Sequence, residues 1–188
     1  DLIKISNHLK KNINVAIRVN LDIQSNTHEK ISTGDETSKF GISLTEIPQV
    51  YKVIYNSNYL NPYGLAVHIG SQIFDMKLLK KTYHELKKLA SSLITMGFKV
   101  NNLDLGGGFG VDYRKFKIQN FKPIEEMLKK LFLGTNFNIC FEPGRSLVAD
   151  AGILVTKVIR EKKTIAKNFL IVDAGMNDFI RPTLYNTY

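Results

Sequence analysis

Apolar and polar positions follow two periods along this chain, and the periods take turns. Short apolar-rich segments at residues 15–19, 65–69, 100–105 and 137–142 predict strands, the first of a buried type. Between them lie segments of helical spacing. Residues 2–11 predict a helix with Leu2, Ile5 and Leu9 on one face. Ser43 and Glu46 have the Ser-x-x-Glu spacing of a capping box and predict a helix from there to about Asn56. Pro62 and Gly64 predict a turn into the strand at 65–69. Residues 77–96 give the clearest helix. Leu78, Leu79, Tyr83, Leu86, Leu89, Ala90, Leu93 and Ile94 recur at helical spacing, and Gly97 supplies the stop. A further helix runs from Pro123 to Gly134, with Met127, Leu128, Leu131 and Phe132 facing inward.

The rhythm of strand, loop and helix repeats every ~35–50 residues and implies parallel strands joined by right-handed crossovers. After Arg145 the rhythm changes. Residues 153–161 and 168–173 predict two strands joined by a short charged turn at 162–164. With no helix between them, they imply an antiparallel pair and a second, β-rich domain. Two α/β architectures fit the first part. A doubly wound sheet gathers its ligand groups at one switch point, whereas a barrel distributes them over the loops at the C-terminal ends of its strands. Here polar motifs follow every strand: from Asn20 onward, at His68–Gln72, at Gly106–Gly110 and at Glu142–Arg145. That distribution favours part of a barrel over residues 1–148, with a β-domain starting at 149.

Composition narrows the possibilities. The chain has 188 residues, 44% of them hydrophobic, enough for a packed core. The net charge of +9 comes largely from lysines paired on helix faces, such as Lys80-Lys81, Lys87-Lys88 and Lys129-Lys130. No basic stripe is interleaved with aromatics, so this is a solvated surface rather than a nucleic-acid interface. No apolar run reaches the roughly 18–20 residues of a membrane span. The single cysteine, Cys140, rules out an internal disulfide framework and fits a reducing, cytoplasmic compartment. Lying in an apolar run, it is expected in the core. No His-x-His or Cys/His spacing points to a metal. The chain begins at Asp1 rather than at a methionine and is expected to be cut from something longer.

Three loops carry the candidate chemistry. Gly106, Gly107, Gly108 and Gly110 allow backbone N–H groups to approach an anion closely, as in a phosphate nest. A dinucleotide fingerprint fails, because Val111 stands where its last glycine belongs, and no Lys-Ser/Thr pair completes a Walker loop. A tight turn without ligand is the competing reading. His68 ends a strand with Ser71 three residues on, suited to an imidazole against a flat cofactor and a hydroxyl on its phosphate; a core histidine bonded to a neighbour is the plainer alternative. Glu142, Pro143, Gly144 and Arg145 put an acid, a rigid turn, a bare backbone and a guanidinium in a row. A carboxylate at a strand mouth can hold a ring nitrogen protonated, and a guanidinium forks onto phosphate or carboxylate; a loop ion pair is the plainer reading. Arg181 near Tyr185 suits a substrate carboxylate, and an exposed tail is equally compatible. The three loops together indicate one anionic, nitrogen-containing cofactor.

Taken in order, Val19-Asn20, residues 27–34, Lys39-Phe40-Gly41, His68–Gln72, Gly106–Gly110, Glu142–Arg145 and residues 173–185 resemble the diaminopimelate decarboxylase family over the whole chain. Leu21 stands where that family usually has proline. The resemblance implies the alanine-racemase-like fold type, a (β/α)8 barrel that binds pyridoxal 5'-phosphate followed by a C-terminal β-domain. It further implies decarboxylation of meso-diaminopimelate to L-lysine by a homodimer with shared active sites, with a small amino-acid substrate and no nucleic-acid or membrane partner. By resemblance, His68 stacks on the pyridine face, and Ser71 with Gly106, Gly107 and above all Gly108 binds near the phosphate. Glu142 pairs with the ring nitrogen, the Gly144–Arg145 backbone holds phosphate, and Arg145, Arg181 and Tyr185 meet the substrate. The family's Schiff-base lysine motif and its later Cys-Glu-Ser-x-Asp-like motif have no counterpart here, so no catalytic lysine is assigned. The expectation is the second part of the barrel plus the entry to the β-domain. Related ornithine, arginine and carboxynorspermidine decarboxylases share the loops, and residues 30–34 with Arg181–Tyr185 favour diaminopimelate. A non-catalytic cofactor-binding module is the remaining alternative.

Overall fold

The computed structural model describes residues 1–23, 39–113 and 120–185, the side chain of Tyr185 excepted. Residues 27–34, with His28, lie outside the described residues, as does most of the polar stretch between residues 21 and 40. The chain divides into two compact units, Asp1–Val111 with Ile118–Leu147 and Asp112–Lys117 with Val148–Tyr188.

The first unit is built on strands β1 (Ile13–Asn20), β2 (Ile42–Ser43), β3 (Leu60–Ala66), β4 (Asn102–Asp104) and β5 (Asn138–Cys140). They form one sheet in the order β2-β1-β3-β4-β5, and every neighbouring pair is parallel. Its helices are α1 (Leu2–Leu9), α2 (Ile47–Tyr55), α3 (Met76–Thr95), α4 (Lys122–Phe132) and the short α5 (Arg145–Val148). Period-2 alternation places Ile17 and Val19 of β1 in the core, with Leu65, Val67, Leu103 and Leu105 from its neighbours. The same core takes Ile47, Tyr51 and Ile54 from α2, and Leu79, Tyr83, Leu86, Ala90 and Leu93 from α3. The Tyr51 hydroxyl donates to the Lys99 carbonyl at 2.8 Å, and burial pushes its pKa up to about 12. On the opposite strand face lie Asn14, Ala16, Arg18 and Asn20, exposed or half-buried.

Several local expectations are corrected. On α1, Leu2, Ile5 and Leu9 are exposed, while Ile3 packs on the core and Ser6 is buried. Ser6 tolerates this because its hydroxyl donates to the Ile3 carbonyl at 3.0 Å. The capping box does not form. Ser43 is committed to β2 opposite Asn20 and its hydroxyl meets that of Thr45, so α2 starts at Ile47 with Pro48 in its first turn. Pro62 and Gly64 lie inside β3, not in a turn before it. Val15 pairs with Pro62 and Ala16 with Gly64, leaving Tyr63 as the extra residue of a bulge. The Tyr63 carbonyl accepts from the Asn102 side chain at 2.9 Å. Cys140 is exposed, because β5 turns Ile139, not Cys140, toward the helices.

Helix α3 agrees with its pattern. Asp75 caps it, accepting the Lys77 N–H at 2.8 Å, and Gly97 at φ 90° ends it. In the second unit, β6 (Val158–Lys163) and β7 (Asn168–Val172) pair antiparallel, as their spacing predicts. Their turn falls later than expected, closed by the Thr164 N–H on the Lys167 carbonyl at 3.1 Å. Helix α6 (Arg181–Tyr185) follows. Among the described residues no helix is long and apolar enough to cross a membrane.

Candidate cofactor site

Because β3, β4 and β5 are parallel, the loops that leave them start from the same edge of the sheet. Backbone hydrogen bonds knit these loops together. The Glu142 N–H donates to the Gly106 carbonyl at 2.9 Å, and the Ile73 N–H to the Gly108 carbonyl at 2.9 Å. Such closeness requires glycine. A Cβ on Gly107 would lie 2.1 Å from the Glu142 carbonyl oxygen, and one on Gly108, at φ 85°, would lie 1.9 Å from the Gly70 carbonyl oxygen.

The amides of the glycine run have different employment. Gly106 donates to Asp104 Oδ1 at 2.8 Å, and Gly107 donates to His68 Nδ1 at 3.2 Å. Both N–H groups are therefore engaged inside the protein. Gly108 faces outward onto a cavity of about 200 Å³. From the first loop that cavity is lined by His68, Ser71 and Gln72, and from the second by Gly108 and Phe109. From the third it takes Glu142, Gly144, Arg145 and Ser146. Of the residues singled out by sequence, six meet there: His68, Ser71, Gly108, Glu142, Gly144 and Arg145. Pro143 instead lines a neighbouring apolar cavity of about 330 Å³ with Phe121, Phe141 and Leu147; Phe109 borders both. Arg181 is half-buried at the start of α6 in the second unit, and Tyr185 ends that helix.

The electrostatics of the cavity centre on His68. Accepting a hydrogen bond at Nδ1 assigns the proton of the neutral ring to Nε2. Burial and then the nearby Arg18 charge lower its pKa below the ordinary 6.5, while Glu142 and Asp104 act in the opposite sense. The ring is thus mainly neutral at pH 7.

Sequence reasoning gave Gln72 no role within its loop and missed Ser146 and Arg18. Gln72, at φ 60°, clamps Val111 by accepting its N–H at 2.8 Å and donating to its carbonyl at 3.2 Å. Ser146 has a buried hydroxyl with no hydrogen-bond partner among the described residues, although it borders the cavity. Arg18, a lone cation within an apolar strand, was the one with a visible signal. A buried hydroxyl without a protein partner is satisfied by a water or a ligand. The lining offers a flat imidazole, one carboxylate, one guanidinium, open glycine backbone and two serine hydroxyls. That donor set suits a planar, phosphorylated pyridine, and so the residues present fit pyridoxal phosphate.

Comparison with known proteins agrees. Residues 1–149 match the family described as pyridoxal-dependent decarboxylase, pyridoxal binding domain. The chain is 39% identical to the diaminopimelate decarboxylase of Zymomonas mobilis, covering 100% of this chain and 45% of that protein. It is 40% identical to the diaminopimelate decarboxylase of Aquifex aeolicus, covering 98% of this chain and 44% of the relative. Among solved structures, the Helicobacter pylori diaminopimelate decarboxylase complexed with L-lysine superposes with a TM-score of 0.92 at 37% identity, over 99% of this chain and 47% of that one. The chain therefore spans a little under half the length of these relatives. With its parallel α/β sheet and the loops that leave it, the chain belongs to the pyridoxal-dependent decarboxylase family, through that family's pyridoxal-binding domain.

Proposed function

We propose that this chain is part of a diaminopimelate decarboxylase. In this reading the full-length, cytoplasmic protein converts meso-2,6-diaminopimelate to L-lysine and CO2, the last step of lysine biosynthesis. The observation that carries it is the meeting of His68, Gly108 and Glu142 around one cavity, in a chain 39–40% identical to diaminopimelate decarboxylases. The Helicobacter pylori relative is complexed with L-lysine, the product of the proposed reaction.

The finer architecture belongs to the same proposal. Residues 1–148 form the second part of a (β/α)8 barrel and residues 149–188 open a C-terminal β-domain. The all-parallel sheet, with helices packed on one face and polar groups at its strand ends, supports the barrel. The exposed antiparallel pair β6–β7 supports the β-domain. The lysine that attaches the cofactor belongs to another part of the protein, and a second subunit completes the site.

Pyridoxal phosphate, when bound, supplies an electron sink for the pair left on carbon as CO2 departs. By resemblance to the diaminopimelate decarboxylase family, the residues of this chain would take the following roles. Glu142 holds the pyridine nitrogen protonated, which keeps the sink effective. His68 lays a neutral ring against the cofactor face. Gly108, the Gly144–Arg145 backbone and Ser71 hold the phosphate, with Gly106 and Gly107 setting the loop that carries Gly108. Arg145 reaches the substrate, and Arg181 with Tyr185 engages its carboxylate or amine groups.

Substrate profiling of the full-length protein tests this reading. CO2 release is expected from meso-diaminopimelate in preference to ornithine, arginine or lysine. Preference for a substrate lacking the distal carboxylate would reassign the protein to a related decarboxylase. Bound cofactor without CO2 release from any of these amino acids would make it a non-catalytic cofactor-binding module. Arg181→Ala is expected to raise KM with a modest effect on cofactor affinity, and an unchanged KM would remove Arg181 from the substrate site.

A further inference from the structure

The row of residues Arg18, Ala66, Asp104 and Cys140 crosses the sheet from β1 to β5 as successive register partners. Ala66, small and central, separates the cation of β1 from the carboxylate of β4. His68 follows two residues after Ala66. Arg18 Nη2 donates to the His68 carbonyl at 3.1 Å, so the strand cation grips the backbone of the residue whose ring lines the cavity. The same guanidinium lies over an aromatic ring, its Cζ 4.9 Å from the centroid of Phe40. Phe40 is held in place by its successor. Gly41, at φ 77°, passes so close to β1 that a Cβ would lie 2.9 Å from the Asn20 nitrogen.

We propose that Arg18 is a positioning residue of the cofactor site: by joining Phe40 to the His68 carbonyl, it fixes how the His68 imidazole is presented to the cavity. Nothing in the roles derived above requires Arg18, and it does not line the cavity itself. Its effect passes through His68. Two hydrogen bonds then define that residue, one from Arg18 to its carbonyl and one from the Gly107 N–H to its Nδ1. With Nδ1 accepting from the Gly107 N–H, the neutral ring carries its proton on Nε2. The charge of Arg18 adds a second effect. His68 faces Arg18 from β1, Asp104 from β4 and Glu142 from the loop after β5, with Arg145 lining the same cavity. The two carboxylates favour a protonated ring, and Arg18 and burial oppose it. A neutral imidazole is the form that can lie against a protonated pyridine without like-charge repulsion.

This inference rests on reading the cavity as a cofactor site, so its first readout needs no cofactor. In the full-length protein with 15N-labelled histidine, the His68 signals are assigned by their loss in His68→Asn. Arg18→Met keeps the length of the stem and removes both charge and fork. It is expected to move the His68 titration midpoint upward and to mix the Nδ1–H tautomer into the Nε2–H form. The pyridoxal phosphate dissociation constant is expected to rise about tenfold, the loss of one charge-assisted hydrogen bond. Arg18→Lys should return the midpoint toward the wild-type value but not the affinity, because lysine keeps the charge without the planar fork. Phe40→Leu should give a smaller loss of affinity. A lowered Tm in Arg18→Met, with the His68 midpoint and tautomer unchanged, would make Arg18 a strand-packing residue only and overturn the proposal. Should Arg18→Met not fold, unchanged cofactor affinity in both Arg18→Lys and Phe40→Leu would overturn it equally. Failure of the wild-type protein to bind pyridoxal phosphate would instead count against the cofactor reading, leaving the titration result to stand on its own.

Discussion

Polar side chains line both ends of the parallel sheet, and the ends differ in where those groups find partners. At the starting end, asparagines answer one another. Asn61 donates to Asn14 at 2.8 Å, Asn138 donates to Asn102 at 3.2 Å, and Asn102 donates to the Tyr63 carbonyl at 2.9 Å. At the finishing end, His68, Glu142, Arg145 and Ser146 surround a hollow, and the Ser146 hydroxyl finds no partner among the described residues. A closed polar network fixes strand register; polar groups gathered around a space are prepared for something that enters it. This contrast separates scaffold from site without reference to residue type, since both ends use side chains equally able to hydrogen-bond.

The contrast breaks most severely at Glu142. In the full-length enzyme, Glu142→Ala is expected to lower kcat about 100-fold or more, the scale for losing one preorganised electrostatic partner, while cofactor affinity falls much less. Steady-state kinetics beside a cofactor titration measure the split, and equal losses in both would contradict the ring-nitrogen role. Gly108→Ala comes next. The new methyl would meet the Gly70 carbonyl at 1.9 Å on a backbone at φ 85°, so the two loops must separate. A loss of about 3 kcal/mol or more in unfolding free energy is expected, with weaker phosphate binding. Wild-type stability in this variant would mean the loops have more slack than their hydrogen bonds indicate.

A break at the starting end should be purely structural. Asn102→Ala removes the donor to the Tyr63 carbonyl and the acceptor for Asn138. Leaving those groups unsatisfied is expected to cost about 1–3 kcal/mol in denaturant unfolding, with cofactor affinity unchanged. A selective loss of cofactor affinity in this variant would erase the distinction between the two ends.

The same distinction explains what was legible in the sequence. The short apolar run of β1 and the 3.6 spacing of α3 depend only on near neighbours, so residues 15–19 and 77–96 announced themselves. The three loops stood out because charge and glycine directly follow apolar strands. The Ser43–Glu46 pattern misled because Ser43 was claimed by pairing with Asn20, a partner remote in sequence. Cys140 misled because an apolar run does not reveal which of its residues the strand turns toward the helices. The glycines were legible as places of close approach. What approaches Gly107 and Gly108, however, is the backbone of Glu142 and Gly70, which only the folded register reveals. Arg18 and Gln72 act on residues 50 and 39 positions away, beyond any local pattern.

The smallest expected effect is a pH dependence of stability that belongs to the finishing end alone. His68 has its pKa lowered on folding, by burial first and by Arg18 second, from the ordinary 6.5. Between the lowered value and 6.5 the unfolded chain binds more protons than the folded one, so protonation favours unfolding. The stability linked to a neutral His68 is therefore fully present above about pH 6.5 and lost as the pH falls through and below that value, toward the folded pKa. Denaturant midpoints of the cofactor-free, full-length protein, compared with those of His68→Asn, isolate this component. The wild type should lose more stability than the variant on acidification, and Arg18→Lys should follow the wild type because the charge is kept. Parallel curves for wild type and His68→Asn would show that His68 titrates alike in both states. The finishing end would then hold its histidine no more tightly than water does, and its claim to be prepared for a ligand would rest on Glu142 and Ser146 alone.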